Sequence, residues 1–359
     1  MVYADETEYS YEFIRITPDA YNNALAGSDI IAHSSSALFQ NVSAISFTRR
    51  GAEFALGYVH ESFFDNLFTL NSIFSLHLGT AGIRSLIFFS RDEYADEARK
   101  ERAYRGSLVS ASYALLLDDL FFNMFIPVSI GGSFGFAHEV ILGTSTSCIF
   151  ADFSLTAELI FNRLFAACAV NNISFELDDS RLPLCFDAGI KHNFISISVF
   201  DFMYSIHYML EEYKNDSLSA GINIVLYDNY ALRGGYIYYI RGDDLSYRNA
   251  FHFGFGLHFD NLEIDASFRP HPSLNTRFDV MLRYHIYTSF IKLSEDTIKR
   301  LPLSRLIKET QEALEYEELD YAFLLIKTGL LKDPGNVQLV RLFMEIDAIR
   351  DRKELDIEE

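Results

Sequence analysis

The sequence predicts a mainly β protein: a transmembrane antiparallel β-barrel of about 14 strands, with an N-terminal hatch segment and a small C-terminal α-helical module. Three observations predict it. Long segments alternate apolar with small or polar residues, the connections between them alternate between tight and long, and the periodicity turns helical near the C-terminus. The alternation is clearest late in the chain. Phe251, Phe253, Phe255, Leu257 and Phe259 interleave with His252, Gly254, Gly256 and His258. Leu262, Ile264, Ala266 and Phe268 interleave with Glu263, Asp265, Ser267 and Arg269, and Phe278 to Ile286 repeats the pattern around Asp279, Arg283 and His285. A period of two puts one set of side chains on each face of a strand. Strands of about ten residues with ionisable groups on the second face suit lipid outside and a polar lumen inside.

Composition narrows the class. The chain has 33 Phe and 21 Tyr but no Trp, and a net charge of -20. That charge argues against a nucleic-acid partner, because phosphate binding needs basic clusters. No apolar run approaches the roughly 18 residues of a membrane helix. The most apolar region, Ile141 to Val170, is interrupted by Asp152, Glu158, Asn162 and Arg163. Membrane insertion would therefore use strands, closed into a barrel so that every backbone polar group has a partner. The start Val2-Tyr3-Ala4-Asp5-Glu6 reads as that of a mature exported chain whose export signal is absent.

The tight corners fall at Gly79-Thr80, Asp118-Asp119, His192-Asn193, Asp228-Asn229 and Asp260-Asn261. Between them lie longer loops at Glu61–Asp65, Arg91–Tyr104, His138–Thr144, Asp178–Pro183, Glu211–Asp216, Arg241–Arg248 and His271–Asn275. Short turns on one side and longer loops on the other are the habit of outer-membrane barrels. The apolar stretch 145–172 divides into two strands near Glu158, and the count from Ala52 to Tyr287 is then even. Ile45-Ser46-Phe47 either extends the first strand or adds another.

The flanking regions differ from the barrel. Residues 18–44 are rich in small residues and follow neither period, which suits a compact hatch inside a barrel or, equally, a surface linker. From about Leu301, Ala313, Leu314, Leu319, Ala322, Leu325, Ile326 and Leu330 recur at helical spacing, and Asp333-Pro334-Gly335-Asn336 marks a turn. The expected divisions are 1–44, 45–290 and 291–359.

Individual motifs weigh little. Gly131-Gly132-Ser133-Phe134-Gly135 fits a nucleophile pattern, yet lies in an alternating stretch with no helix after it, so its glycines read as room for a close-packed segment. Nothing else suggests an enzyme. Arg241-Gly242-Asp243 reads as an ordinary loop. Cys148, Cys168 and Cys185 lack ligand spacing, so neither metal nor cofactor is expected. Arg233, His252, His258, Glu263, Asp265, Asp279, Arg283 and His285 all take inward positions and form a lumen polar ladder, a salt-bridge lattice more readily than a transport path.

Phe13-Ile14-Arg15-Ile16-Thr17-Pro18-Asp19-Ala20, then Ala24-Leu25-Ala26-Gly27 and Ser36-Ala37-Leu38-Phe39-Gln40-Asn41-Val42, resemble the opening of the PorV-like branch of FadL-type outer-membrane proteins. The closing strands Phe253 to Tyr287 resemble that group's last hairpins, and the Phe/Tyr/Ser-rich strands resemble its spirochaetal members. Gln40-Asn41-Val42 stands where that group has Asn-Pro-Ala. The resemblance implies a bacterial outer-membrane channel, in contact with outer-membrane lipid, that takes up hydrophobic molecules such as long-chain fatty acids. Ala24, Ala26, Gly27, His33 and Phe39 would then bind ligand or gate the hatch. Ala322, Leu330 and the Asp333–Asn336 turn resemble part of a tetratricopeptide repeat. That implies the alternative of a scaffold whose residues 301–350 recruit a periplasmic partner through Tyr321, Ala322, Leu330 and Pro334.

Overall fold

The computed structural model describes residues 19–48, 51–61, 66–76, 79–89, 105–117, 126–141, 144–160, 163–176, 182–197, 199–212, 216–240, 250–259, 261–270, 276–287, 298–299, 301, 303–315 and 318–355. Phe13–Pro18, Asp118-Asp119, the Arg91–Tyr104 loop and Arg241-Gly242-Asp243 lie outside them.

Fourteen strands follow one another around a closed antiparallel barrel. They are β1 (Gly51–Glu61), β2 (Asn66–Ser75), β3 (Thr80–Phe89), β4 (Arg105–Leu116), β5 (Val128–Ile141), β6 (Thr144–Ile160) and β7 (Leu164–Glu176). The circuit continues through β8 (Cys185–Ile197), β9 (Phe200–Glu211), β10 (Ser217–Leu226), β11 (Tyr230–Tyr239), β12 (Ala250–Phe259), β13 (Leu262–Arg269) and β14 (Arg277–Tyr287). It closes where β1 pairs with β14, from Gly51 opposite Tyr287 to Glu61 opposite Arg277. Closure leaves no sheet edge, which a bilayer requires.

The alternation read from the sequence is the alternation seen. Phe54, Leu56, Phe134, Phe153, Phe251, Phe253 and Leu282 point outward and are exposed, while Glu53, Arg84, Asp152, Lys191, Arg233 and Arg283 point inward and are buried. Polar inside and apolar outside is stable only when the exterior meets hydrocarbon. The 145–172 region does divide in two, at residues 161–163 between β6 and β7. Its register slips between Ala151 and Phe153, and Asp152 uses the gap to accept the Asn172 backbone N–H at 2.7 Å.

Several local expectations need correction. His138–Thr144 is not a loop: β5 runs to Ile141 and β6 starts at Thr144, with His138 Nδ1 2.9 Å from the Ser147 hydroxyl across the hairpin. The Asp228-Asn229 corner is one residue longer than expected: it spans Tyr227–Asn229, with Tyr227 and Asp228 at positive φ, 52° and 57°, and the Asn229 N–H donating to Leu226 O at 3.2 Å. Ile45-Ser46-Phe47 joins no strand; it belongs to a 3-10 turn, Val42–Phe47, inside the barrel.

Helix α1 (Ala20–Ala24) and two 3-10 turns, Ser35–Phe39 and Val42–Phe47, form a plug over residues 19–48 in the lumen. Asp19 caps α1, its carboxylate accepting the Tyr21 N–H at 3.1 Å. The helix ends in a left-handed turn at Ala26 (φ 56°) and Gly27 (φ 75°), with Gly27 N–H reaching Asn22 O at 2.8 Å. That six-to-one closure is a Schellman ending, although alanine occupies the place glycine usually fills.

The C-terminal module is described by itself. It contains α2 (Leu303–Glu315), α3 (Leu319–Lys332) and α4 (Val337–Leu355). Leu306, Ala313, Ala322, Leu325, Ile326, Leu339 and Ile346 are its buried core. Asn336 begins α4 by accepting the N–H groups of Gln338 and Leu339 at 3.1 and 3.2 Å.

Candidate functional site: a plugged lumen

The plug is seated by two kinds of contact. Its first part, residues 19–36, meets mainly ionised groups. Arg283 Nη2 donates to Asp19 Oδ1 at 2.8 Å and to Ser36 Oγ at 2.7 Å, while Nη1 donates to Asp265 and Glu263 of the wall. Glu53 lies 3.9 Å from Arg283 Nε and accepts the Ser35 N–H at 2.9 Å. Arg233, ion-paired with Asp265, covers the Tyr21 ring at 4.5 Å. Lys191 Nζ meets Asp29 Oδ2 at 2.9 Å, and the Tyr21 hydroxyl donates to the same oxygen at 2.7 Å. Asn23 is held at both ends: its Nδ2 donates to Asp279 at 3.0 Å, and its carbonyl accepts from His252 Nδ1 at 2.7 Å.

Residues 41–46 meet neutral groups. Asn41 Nδ2 donates to Thr156 Oγ1 at 2.9 Å, and Ser43 N–H to Ser154 Oγ at 2.8 Å. The Ser46 and Ser129 hydroxyls are 2.6 Å apart, and Ser129 donates to Ser43 O at 2.8 Å. Ile31, Leu38, Val42, Ala44 and Ile45 pack with Ile73, Ala114, Phe165 and Ala167 of the wall.

Room for the plug comes from inward glycines. A Cβ at Gly131 would lie 2.4 Å from Ser43 N, one at Gly235 2.3 Å from Leu25 C, and one at Gly254 2.2 Å from Ala24 Cβ. The Gly131–Gly135 motif is therefore a seat: Gly131 takes the plug backbone, Gly135 lies under the Phe150 ring, and Ser133 donates to Asp152.

The expected hatch residues all lie in the plug. Ala24 abuts Gly254, Ala26 and Gly27 make the turn, and Phe39 lies beneath the Arg84 guanidinium at 5.6 Å. His33 packs against Phe47 and Phe165 with centroids 5.7 and 5.0 Å away. Burial, aided by the Lys191 charge, pushes its pKa down to about 3, so it packs as a neutral ring. The ladder divides in two. Arg233, His258, Glu263, Asp265, Arg283 and His285 share one network with Glu53, with His285 Nε2 3.2 Å from Glu263. His252 and Asp279 instead hold Asn23. Sequence reasoning passed over Asp19, Tyr21, Asp29 and Ser43. The inward glycines were the available signal for them, since each marks a place where something crosses the lumen.

Above the plug, toward the connections 62–65 and 90–104, the inner wall of β1–β6 changes character. Val59, Leu67, Leu86, Phe88, Leu108, Ala137, Cys148 and Phe150 form one apolar cluster with Leu182, and Phe39 of the plug packs against it.

In the helical module the expected partner residues separate. Tyr321 and Ala322 are buried in its core and offer no surface to a partner, which corrects that expectation; helix packing consumes them. Leu330 is half-buried and Pro334 exposed, while Leu331, Val337 and Met344 are exposed. Among the described residues no group of three His, Cys, Asp or Glu side chains is arranged to hold a metal ion.

A closed, plugged, fourteen-stranded barrel with an apolar exterior is the fold of a bacterial outer-membrane protein. Solved structures place it more narrowly, in the FadL-type fold. The chain is similar to the Pseudomonas putida toluene transporter TodX, with TM-score 0.50, 11% identity, and coverage of 74% of this chain and 96% of that one. A Pseudomonas aeruginosa FadL homologue gives 0.50, 11%, 75% and 98%, and the monoaromatic hydrocarbon channel CymD gives 0.50, 10%, 71% and 94%. No family model and no curated protein matches the sequence.

Proposed function

We propose that this protein is a plug-gated outer-membrane channel for passive uptake of hydrophobic small molecules, long-chain fatty acids among them. The observation that carries the reading is the apolar inner wall of β1–β6, which runs from the loop end of the lumen to Phe39 of the plug. Polar solutes gain nothing there, whereas an apolar solute exchanges water for hydrocarbon contact at about 25 cal/mol per Å². Ala24, Ala26, Gly27, His33 and Phe39 belong to the segment that must shift for passage. Toluene and monoaromatic hydrocarbons, the cargo of two fold neighbours, define the small end of the candidate range. The test is transfer of a long-chain fatty acid, toluene and glucose into liposomes carrying the refolded full chain. Fatty acid or toluene entering faster than in protein-free liposomes, with glucose excluded, is the expected result. Equal rates with and without protein would overturn it.

A second reading, recruitment of a periplasmic partner, is favoured by Leu331, Val337 and Met344, which the helical module leaves exposed.

A further inference from the structure

If residues 19–48 are the gate, as proposed above, the cations that hold them differ in what they keep when the plug leaves. Three wall cations grip its first half: Arg233 on Tyr21, Arg283 on Asp19 and Ser36, and Lys191 on Asp29. Both arginines carry wall carboxylates as well. Arg233 pairs with Asp265, and Arg283 with Asp265, Glu263 and Glu53. Withdrawal of the plug strands neither. Lys191 is different: its two partners among the described residues, Asp29 Oδ2 at 2.9 Å and Ile31 O at 3.2 Å, both belong to the plug. Asp29 is equally committed, with Oδ2 shared by Lys191 and Tyr21 and Oδ1 accepting the Ile31 N–H at 3.1 Å. Removing one partner of a buried pair is far costlier than removing one of several.

The halves also differ in chemistry. Residues 41–46 are tied to β5 and β6 by neutral hydroxyl and amide bonds, and chain connectivity leads from there directly into β1. We infer that Lys191–Asp29 is the lock of the plug, that residues 19–33 are the part that swings free, and that residues 41–48 are its fixed anchor. The arginines act as a seat that stays charge-balanced whether or not the plug is present, so of the three cations Lys191 is the one whose pairing opening must break outright.

Hydrogen exchange on the full chain in detergent reads the lock without reference to transport. In Lys191→Met, amides 21–31 are expected to exchange at least about tenfold faster than in the unaltered protein, while amides 43–47 change little. Lys191→Met with Asp29→Leu leaves no stranded charge and is expected to restore most of the protection. Equal acceleration in both segments, or none, overturns the inference. Should Lys191→Met fail to give the heat-sensitive gel mobility of a folded barrel, Asp29→Asn is measured with the same criteria. Conductance across a planar bilayer separates the two claims. Faster exchange in 21–31 without new conductance or solute passage leaves the lock standing and removes the channel; unchanged exchange removes the lock whatever the conductance.

Discussion

The two sides of the lumen solve different problems with the same strand alternation. The wall of β8–β14 presents Lys191, Arg233, Asp265, Asp279 and Arg283, and spends them on positioning the first half of the plug. The wall of β1–β6 presents Leu67, Leu86, Phe88, Leu108 and Phe150 above the plug, and hydroxyls beside it. Buried charges are costly unless every one finds a partner, so they define one seat and penalise near misses. Apolar and hydroxyl surfaces tolerate sliding and solvation. One wall holds position mainly by charge; the other is mostly apolar or hydroxyl-bearing, with Glu53, Arg84 and Asp152 as buried charges among them.

Breaking the charged wall has the largest expected effect. Arg283 is 1% exposed and faces Asp19, Glu53, Glu263 and Asp265. Arg283→Met leaves these carboxylates mutually repelling, at an expected cost of about 3–5 kcal/mol. Urea unfolding in lipid vesicles, followed by gel mobility, measures it. A change below about 1 kcal/mol, the value of an exposed pair, would mean that the network is hydrated.

The apolar wall gives the next test. Phe150 is fully buried, with its ring against Gly135 and the Arg84 guanidinium over the ring, 5.7 Å from the centroid. Phe150→Ala is expected to destabilise the barrel by about 3–5 kcal/mol, the loss typical of a fully buried aromatic. It should also change the rate of apolar-solute entry, whereas Arg283→Met, by unseating the plug, should admit polar solutes as well. If both variants admit the same solutes, the two walls do not divide the work.

The barrel was legible because alternation is a local signal. Phe251 to Phe259 announces its faces without knowledge of any neighbour, and the even strand count followed from Gly79 and Asp260-Asn261 as corners. Boundaries failed where contacts across a hairpin, such as His138 with Ser147, extended the strands beyond their polar-looking ends. The plug's seat was hidden for a different reason. The partner of Lys191 lies 162 residues away, and a period of two names the face of a strand, not who crosses the lumen to meet it. In the helical module, helical spacing located Tyr321 and Ala322 and could not say whether their face meets a partner or the neighbouring helix.

The smallest test sharpens the neutral side. Ser46 bonds Ser129 at 2.6 Å, and Ser129 in turn donates to Ser43 O at 2.8 Å. Removing the Ser46 hydroxyl, which also lies 2.9 Å from Ser43 O, by Ser46→Ala leaves the Ser129–Ser43 bond intact and strands no buried donor, so the loss is that of neutral hydrogen bonding alone, about 1–1.5 kcal/mol. Urea unfolding measures that loss, and hydrogen exchange at amides 43–47 reports whether the anchor stays docked. A loss as large as that of Arg283→Met would show that the hydroxyls, rather than the ions, fix the plug, and the contrast between the two walls would have to be reversed.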